Sequence, residues 1–596
     1  MYLISFRKPN IIMKKFIILL SISIGWILPL CAQLPTIFSE NKEKGREKDP
    51  RSRVYMPAVR IIAQSDQTGK WIKNANGLLK EGNGQAVLVN KDLTSMKSTA
   101  AHQAYIVLDF GREIHGGLAF VTGHMKSKDP ASVRVRFGES VSETMADVDT
   151  ASGATNDHAM RDFKVDLPWL GSIEIGNSGY RFVRIDLLSR DVELLLKEIN
   201  AIFIYRDIPY LGSFKSNDAR LNQIWETGAY TVHLNMQQYL WDGIKRDRLV
   251  WIGDMHPEIM TINSVFGYNE VVPKSLDLIR DATPLPAWMN GISSYSMWWI
   301  MIHRDWYKYQ GNLTYLTAQK PYLVALLNQL ISKTKEHQEK LDGNRFLDWP
   351  SSENKPAIHA GLQAMMMLSL TAGAELCDVL ADKVTAEKCR LTVQSLQEHV
   401  PDMANSKQAA ALMSMAGLID SKKADAFIAK DGVNDFSTFY GYYMLQAKAK
   451  AGNYQGAIDN IREYWGGMLD LGATTFWEDF NIKWLKNAGR IDELPSKDKV
   501  DVHVCYGDYC YKRLRHSLSH GWASGPTAWL TEHVLGVSMV SPGGKVLKIK
   551  PNLGDLTFVE GTFPTPLGIV KIKHVKLADG RVDTKVDAPK GIRILK

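Results

Sequence analysis

The alternation of apolar and polar positions predicts β-structure in the first third of the chain. Four segments between residues 54 and 210 alternate or run apolar, and glycines at 111, 116, 117, 138 and 176 separate them. The segments are Ala104–Phe110, Leu118–Val121, Val133–Phe137 and Phe182–Leu188. Many short strands joined by polar turns predict an antiparallel β-sandwich.

The pattern changes to helical spacing after Ser216-Asn217-Asp218, which is typical of a helix cap. Helical segments then continue to about Gly536, with room for about a dozen helices of ordinary length. The clearest are Pro321–Lys333, Gly361–Leu380, Ala386–His399, Lys407–Leu418, Phe439–Ala451, Tyr454–Leu469 and Gly525–Leu535. They share no fixed period, which argues against a repeat solenoid.

From Val540 the pattern returns to short strands, which we expect to pack on the helical domain; pairing with the earlier sheet is open to them. The predicted division is a signal peptide (1–32), a charged lead-in (33–53), an N-terminal β-sandwich (54–212), a helical domain (213–538) and a C-terminal β domain (539–596). A chain of 596 residues is too long for a single core, as this division requires.

The chain begins like an exported protein. Lys14 and Lys15 precede an apolar run from Phe16 to Leu30, which is short for a membrane span, and small residues follow. We expect a periplasmic or secreted protein; a lipid anchor on Cys31 fits less well, because Leu30 is bulky for the preceding position. Removing residues 1–32 takes away four basic residues and lowers the net charge from +8 to +4, too little to indicate nucleic-acid binding. No span is predicted in the rest of the chain.

Four cysteines remain after residue 32. Export permits disulfides, and Cys505 with Cys510 is the closest pair in sequence; Cys377 and Cys389 would have to join neighbouring helices. Free thiols are an equally good interpretation, because a chain of this size needs no cross-links.

The candidate chemistry centres on Asp242 to Asp254, where three acids (Asp242, Asp247 and Asp254) alternate with Arg246, Arg248 and Trp251. Acids, arginines and aromatic rings together are typical of sites that bind a sugar and protonate a glycosidic oxygen. A salt-bridged helix end is the alternative, since structural ion pairs have the same composition.

A second carboxylate, Glu478, follows Trp477 in a predicted loop, and an acid among aromatic rings loses solvation. Thr475 to Glu478 is equally consistent with a helix-capping box. His516 and His520 would share one face of a helix, but the spacing with His503, Cys505 and Cys510 fits no standard metal site, so no metal is predicted. A sugar contact by His520, or a hydrogen-bonded core histidine, fits better.

These stretches resemble the α-L-rhamnosidases of glycoside hydrolase family 78. Asp242-Gly-Ile-Lys-Arg-Asp-Arg-Leu-Val-Trp-Ile-Gly-Asp254 is similar to the family signature Asp-Cys-Pro-x-Arg-Glu-x-x-x-Trp-x-Gly-Asp, and Thr475–Glu478 to its Thr-x-Trp-Glu segment. Ser517–Trp522 resembles its late histidine helix, and Glu560–Gly568 its closing β domain. The motifs occur in the family's order and span nearly all of the chain after residue 32.

The resemblance implies an (α/α)6 barrel flanked by β domains, and hydrolysis with inversion and without a cofactor. It places the general acid on Asp247 and the general base on Glu478. Sugar-binding positions fall on Asp242, Arg246, Trp251, Asp254 and His520, and Trp299, Trp349 and Trp477 are candidate wall aromatics. The chain departs from the family at Asp247, where the family has Glu, and at Gly243–Ile244, where it has Cys-Pro.

The expected partner is an oligosaccharide or polysaccharide that carries terminal α-L-rhamnose or a similar sugar, of plant or algal origin. Two other classes stay open: another helical-barrel glycosidase or polysaccharide lyase, and a glycan-binding relative without catalysis.

Overall fold

The computed structural model describes residues 49–595 except 90, 128 and 150, and residues from Arg51 onward form one compact unit. The predicted signal peptide (1–32) and most of the charged lead-in (33–53) lie outside the described residues.

Nine strands between residues 52 and 205 form one sheet in which every pairing is antiparallel. They are β1 (Ser52–Pro57), β2 (Arg60–Gln64), β3 (Ile72–Lys73), β4 (Thr94–Lys97), β5 (Tyr105–Thr122), β6 (Ala131–Gly138), β7 (Asp162–Leu167), β8 (Gly171–Leu187) and β9 (Glu193–Tyr205). The predicted antiparallel strands are confirmed, but two of them are one element. Gly111 does not end a strand, because β5 continues through an irregular register between Asp109 and Ile114.

The first half of β5 pairs with β2 and its second half with β9, while β8 follows both halves. Changing partner at an irregularity lets one strand serve two parts of a sheet. A separate apolar core lies beneath this sheet and includes Leu108, Phe120 and Val183. A short helix, α1 (Val141–Met145), follows β6, and residues 146–149 and 151–161 lie between it and β7.

Helices dominate from residue 219 to 534. They are α2 (Ala219–Asn235), α3 (Met255–Val265), α4 (Val271–Asp281), α5 (Ser293–Gln310), α6 (Leu313–Ser332), α7 (Lys355–Val379), α8 (Lys383–Gln397), α9 (Lys407–Ala416), α10 (Ser421–Ala429), α11 (Gly441–Lys450), α12 (Tyr454–Asp470), α13 (Val502–Cys505) and α14 (Gly525–Trp529), which continues as a π-helix over Leu530–Val534. Asp218 caps α2 as predicted, because its carboxylate accepts the backbone N–H groups of Arg220 and Leu221.

Six helices contact one another in a cycle: α3 contacts α5, α5 contacts α7, α7 contacts α9, α9 contacts α11, α11 contacts α14, and α14 contacts α3. The helices α6, α8, α10, α12 and α2 pack against members of this cycle. By length and composition, α7 is apolar enough to cross a membrane, but 83% of its most apolar window is buried inside the protein. Such burial is typical of a core helix.

The C-terminal strands form two small sheets. Strand β10 (Ser213–Ser216), just before α2, pairs with β17 (Phe558–Thr565), followed by β18 (Gly568–Lys576) and β19 (Val582–Asp587). The second sheet contains β15 (Val537–Met539), β16 (Val546–Ile549) and β20 (Arg593–Leu595). The tail therefore pairs with β10, which immediately precedes α2, rather than with the nine-stranded sheet to which the sequence pattern pointed. Short two-stranded pairs also form at β11 (Thr334–Lys335) with β12 (Gln338–Glu339), and at β13 (Ala488–Gly489) with β14 (Val500–Asp501).

Candidate active site

The loop between α2 and α3 carries the acid-rich motif, and Asp242 fixes its shape. The backbone N–H of Asp242 donates to the carbonyl of Leu249 at 3.0 Å, and its carboxylate accepts the Leu249 N–H at 2.9 Å. The Asp242 carbonyl accepts from the side chain of Asn235 and from the N–H of Gly521. The loop is thus closed on itself and joined to the segment that carries His520.

Asp247 and Arg248, at the tip of this loop, both have left-handed backbone conformations, with φ of 55° and 56°. Residues with a Cβ rarely adopt this conformation, so neighbours must hold it. The guanidinium of Arg248 donates to the carbonyls of Asn177 and His158, which belong to the N-terminal sheet region. The loop tip is therefore held in part from outside the helical region.

Glu478 lies in the loop after α12, and its backbone is hydrogen-bonded on both sides. Its N–H donates to the carbonyl of Ser517, and its own carbonyl accepts from Thr438 Oγ1 and Trp522 Nε1. The N–H of Ser517 donates to Glu478 Oε2 at 3.2 Å. The Glu478 side chain is 4% exposed, whereas that of Asp247 is 21% exposed.

Arg246 joins the two candidate catalytic carboxylates. Its Nη2 donates to Glu478 Oε1, and its Nη1 lies 3.7 Å from Asp247 Oδ1. One planar guanidinium therefore contacts both carboxyl groups.

His520 and Asp254 form a second buried pair in the same place. His520 Nε2 lies 2.9 Å from Asp254 Oδ2, and the hydroxyl of Tyr295 donates to Asp254 Oδ1 at 3.1 Å. His520 Nδ1 is 3.8 Å from Glu478 Oε1. The imidazole therefore stands between the candidate base and Asp254.

Burial and charge give these groups different protonation states. Burial alone would raise the pKa of Glu478, but Arg246 and His520 outweigh it and hold that pKa below its usual range. Burial opposes the charge on His520, yet Glu478 and Asp254 raise the pKa of His520 to about 9. Burial raises the pKa of Asp242 well above the usual value. At neutral pH Glu478 is ionised and His520 carries a proton.

These groups face a cavity of about 280 Å³, slightly below the usual range for ligand pockets of roughly 300–1,000 Å³. It is lined by Asp242, Arg246, Asp247, Trp251, Asp254, Asn290, Ile292, Tyr295, Asn344, Phe346, Trp349, Glu478, Cys510, Tyr511, His520 and Trp522. The mixture of carboxylates, amides and aromatic rings suits a small ligand rich in hydroxyl groups.

The structure brings eight of the ten predicted residues together at the cavity: Asp242, Arg246, Asp247, Trp251, Asp254, Trp349, Glu478 and His520. Trp299 and Trp477 do not line it, and their prediction as wall aromatics needs correction. Trp299 is buried in α5, where its indole N–H donates to the carbonyl of Leu276. Trp477 is buried edge-on against Phe480 and His516.

Other lining residues were not predicted. Tyr295 lies in the first turn of α5. Tyr511 lies under the guanidinium of Arg246 at 5.4 Å and meets the predicted Trp349 edge-on at 5.7 Å. Trp522 lies in the stretch Ser517–Trp522 that resembles the family's histidine helix, but the sequence predicted no role for it. The others follow no motif, so a sequence pattern alone offered no signal for them.

The segment His516–His520 is not the helix suggested by the histidine spacing. It is extended: Gly243 pairs with His520 as an isolated bridge, and the His520 N–H donates to the carbonyl of Phe476. Backbone groups that pair across the site cannot also form helical hydrogen bonds. The two histidines have different surroundings. Burial lowers the pKa of His516 well below its usual value, whereas neighbouring acids raise the pKa of His520.

The four described cysteines are free thiols, in line with the second interpretation of their spacing. Among the residues that the structure describes, Glu139, Glu143 and His503 are close enough to share a metal ion. Lys245 Nζ already lies 3.3 Å from Glu139 and 2.9 Å from Glu143, and Arg161 lies 2.6 Å from Glu143. These carboxylates therefore belong to a buried ion-pair network beside the site.

Known proteins that resemble this chain are rhamnosidases. Residues 209–399 match the sequence model of the bacterial alpha-L-rhamnosidase 6 hairpin glycosidase domain. An alpha-L-rhamnosidase of Alteromonas sp. (strain LOR) is 23% identical over 460 residues, which are 69% of this chain and 47% of that protein.

Solved rhamnosidases share the fold of this chain. The family 78 rhamnosidase of Bacillus sp. GL1 aligns with a TM-score of 0.68 and 20% identity over 85% of this chain and 54% of its own. The Streptomyces avermitilis α-L-rhamnosidase complexed with L-rhamnose aligns with a TM-score of 0.64 and 18% identity over 82% of this chain and 48% of its own. The Klebsiella oxytoca rhamnosidase with rhamnose bound aligns with a TM-score of 0.63 and 18% identity over 81% of this chain and 96% of its own. The chain spans about half the length of the first relatives named.

Proposed function

We propose that this chain is an α-L-rhamnosidase, a glycoside hydrolase that releases a terminal α-L-rhamnose or a closely similar sugar. The observation that carries the proposal is that Asp247 and Glu478 meet at one cavity through Arg246, in a chain with the rhamnosidase six-hairpin domain. The shared fold with rhamnosidases that bind rhamnose supports the sugar.

The proposed reaction inverts the anomeric carbon. Asp247, protonated, gives its proton to the leaving oxygen while Glu478, ionised, takes a proton from a water on the opposite face of the ring. The ionised state of Glu478 follows from its contacts with Arg246 and His520. This acid–base chemistry needs no cofactor.

The remaining polar groups are proposed to hold the sugar. Asp242 and the Asp254–His520 pair offer acceptors and a charged donor to hydroxyl groups, and Trp251, Trp349 and Tyr511 offer ring faces to the apolar side of a pyranose. Arg246 orients both catalytic carboxylates through its planar group.

We also propose that the cycle of six helices, with the helices packed on it, is an (α/α)6 barrel over residues 213–538. It would be flanked by a β-sandwich over 54–212 and a C-terminal β domain over 539–596. The closed order of helix contacts and the family 78 neighbours support this layout.

Export is proposed from the basic and apolar pattern of residues 1–32. Substrates outside the cell would then be rhamnose-containing glycans or glycosides of plant or algal origin. A screen against such oligosaccharides identifies the linkage and the group that leaves.

The decisive experiment is incubation with an aryl α-L-rhamnoside, followed by NMR of the first sugar formed. We expect rhamnose with the opposite anomeric configuration before mutarotation. Retention of configuration would overturn the inverting mechanism, and an unsaturated product absorbing in the ultraviolet would indicate a lyase. Rhamnose binding by calorimetry, with no sugar released over days, would indicate a non-catalytic glycan-binding protein.

A further inference from the structure

The segment 146–161 of the N-terminal sheet region reaches the candidate catalytic loop. The guanidinium of Arg248 donates to the carbonyl of His158, and the N–H of Leu514 donates to the carbonyl of Ser152. These contacts place the His158 side chain beside Asp247, with His158 Nδ1 3.4 Å from Asp247 Oδ1.

Asp157, His158 and Asp247 form a row between solvent and the cavity. Asp157 Oδ2 lies 3.5 Å from His158 Nε2, on the opposite side of the ring from Asp247. Exposure falls along the row, from 42% at Asp157 to 28% at His158 and 21% at Asp247. A carboxylate at Nε2 orients the ring and leaves Nδ1 facing Asp247.

Of the side chains that contact the Asp247 carboxylate in the described part of the chain, His158 is the one suited to carrying a proton. Arg246 stays charged, and the indole N–H of Trp251, which donates to Asp247 Oδ2 at 3.2 Å, does not ionise. The cationic side chains of Arg161, Lys245, Arg246 and Arg515 line the same small cavity as His158 and Asp157. Arg515 Nη1 lies 2.6 Å from Asp157 Oδ2.

We propose that His158 is a relay residue that returns a proton to Asp247 after each turnover, an inference that depends on the proposed hydrolase function. Each turnover breaks the O–H bond of Asp247 and leaves a carboxylate. When His158 is protonated, it gives its Nδ1 proton to Asp247 and forms the new O–H bond. The neutral ring keeps its Nε2 proton toward Asp157, and Nδ1 then takes a proton from water that enters the cavity as the products leave. Asp157 keeps the ring oriented throughout.

The test compares the wild type with His158→Gln and His158→Ala on two rhamnosides. We expect kcat to fall about 10-fold for a poor leaving group and to change little for an activated aryl group that leaves without a proton. A relay supports only part of general-acid catalysis, which as a whole contributes about 10²–10⁴-fold. Added imidazole should restore His158→Ala but not Asp247→Asn. The matched control is His337→Ala, since His337 Nδ1 also lies 3.4 Å from a carboxylate, that of Glu398, and does not line the cavity.

Equal losses on both substrates without rescue by imidazole would make His158 a structural residue and overturn the relay. Unchanged kcat in both His158 variants would do the same while leaving the hydrolase proposal intact. Absence of turnover by the wild type on every rhamnoside would instead remove the hydrolase function and, with it, the relay.

Discussion

At the scale of single residues, one arginine serves two carboxylates that occupy different surroundings. Glu478 is fully enclosed and accepts hydrogen bonds from Arg246 and the Ser517 N–H, whereas Asp247 lies nearer solvent beside Trp251. Arg246 and His520 hold the pKa of Glu478 below its usual range, so this carboxylate is ionised at neutral pH, as a general base must be.

The two roles predict different responses to the leaving group. Glu478→Gln should lower kcat by about 10²-fold or more on every rhamnoside, because water activation is always needed. Asp247→Asn should show a loss of that size only on substrates with poor leaving groups. Steady-state kinetics on an aryl series measures this, with Glu532→Gln as a control at a carboxylate outside the cavity. Near-normal activity of Glu478→Gln would refute the assignment of the base.

The Asp254–His520 pair predicts a pH dependence of stability. Because the folded protein raises the pKa of His520 from about 6.5 to about 9, it binds a proton more tightly than the unfolded chain. The stabilisation of the folded state by this proton is complete below about pH 6.5 and is lost as the pH rises through about 9. It contributes on the order of 3 kcal/mol to the free energy of unfolding. Thermal unfolding between pH 6 and 10 should show this fall, and His520→Gln should flatten it. An identical slope in the variant would contradict the assignment.

At the scale of elements, the N-terminal sheet region supports the backbone beside Glu478. Glu139 accepts the N–H of Leu518 at 2.7 Å and a hydrogen bond from Ser517 Oγ, and Ser517 in turn donates to Glu478. Lys245 and Arg161 balance Glu139 and Glu143, while burial raises the pKa of Glu113 well above its usual value and keeps that acid neutral.

Lys245→Met tests this network. The substitution leaves two buried carboxylates with one cation, and breaking a buried pair in this way costs about 3–5 kcal/mol. We expect a marked fall in Tm for the full chain. Lys333→Met, which removes a surface pair with Asp342, should cost about 1 kcal/mol or less. Equal Tm values for both variants would show that the buried network contributes little.

Local periodicity predicted several of these elements, but not the direction in which each aromatic ring points. The helices Lys407–Ala416 and Tyr454–Asp470 appear where their spacing predicted them. The sequence around Trp299 does not distinguish a cavity-lining ring from a core ring. Trp299 is buried in the core, because packing between helices decides the direction in which a side chain points. The extended form of His516–His520 depends on pairing with Gly243, a partner distant in sequence.

At the scale of the whole molecule, the site is assembled from distant parts of the chain. The resemblance in motif order predicted that residues 242, 247, 254, 478 and 520 belong to one site, and all five line one cavity. Sequence could not predict that residue 158 would join them, because that contact depends on how the N-terminal sheet region packs against the helices. Long-range placement was predictable only where a family pattern supplied it.

The pairing of β10 with β17 predicts where this assembly can be weakened without touching the cavity. A Cβ added at Gly561 would lie 2.1 Å from the carbonyl oxygen of Ser213, so one strand must move and the ladder that precedes α2 is disturbed. Gly561→Ala should therefore lower Tm by several degrees, the shift expected for a loss of about 2 kcal/mol or more in a large chain.

Gly489→Ala is the matched control, because the nearest atoms to its added Cβ are 3.4 and 3.6 Å away and its φ is ordinary. At temperatures where Gly561→Ala remains folded, its kcat should equal that of the wild type, since neither strand lines the cavity. A loss of kcat at unchanged Tm would mean that this C-terminal sheet acts on the site itself rather than on the stability of the helices that carry it.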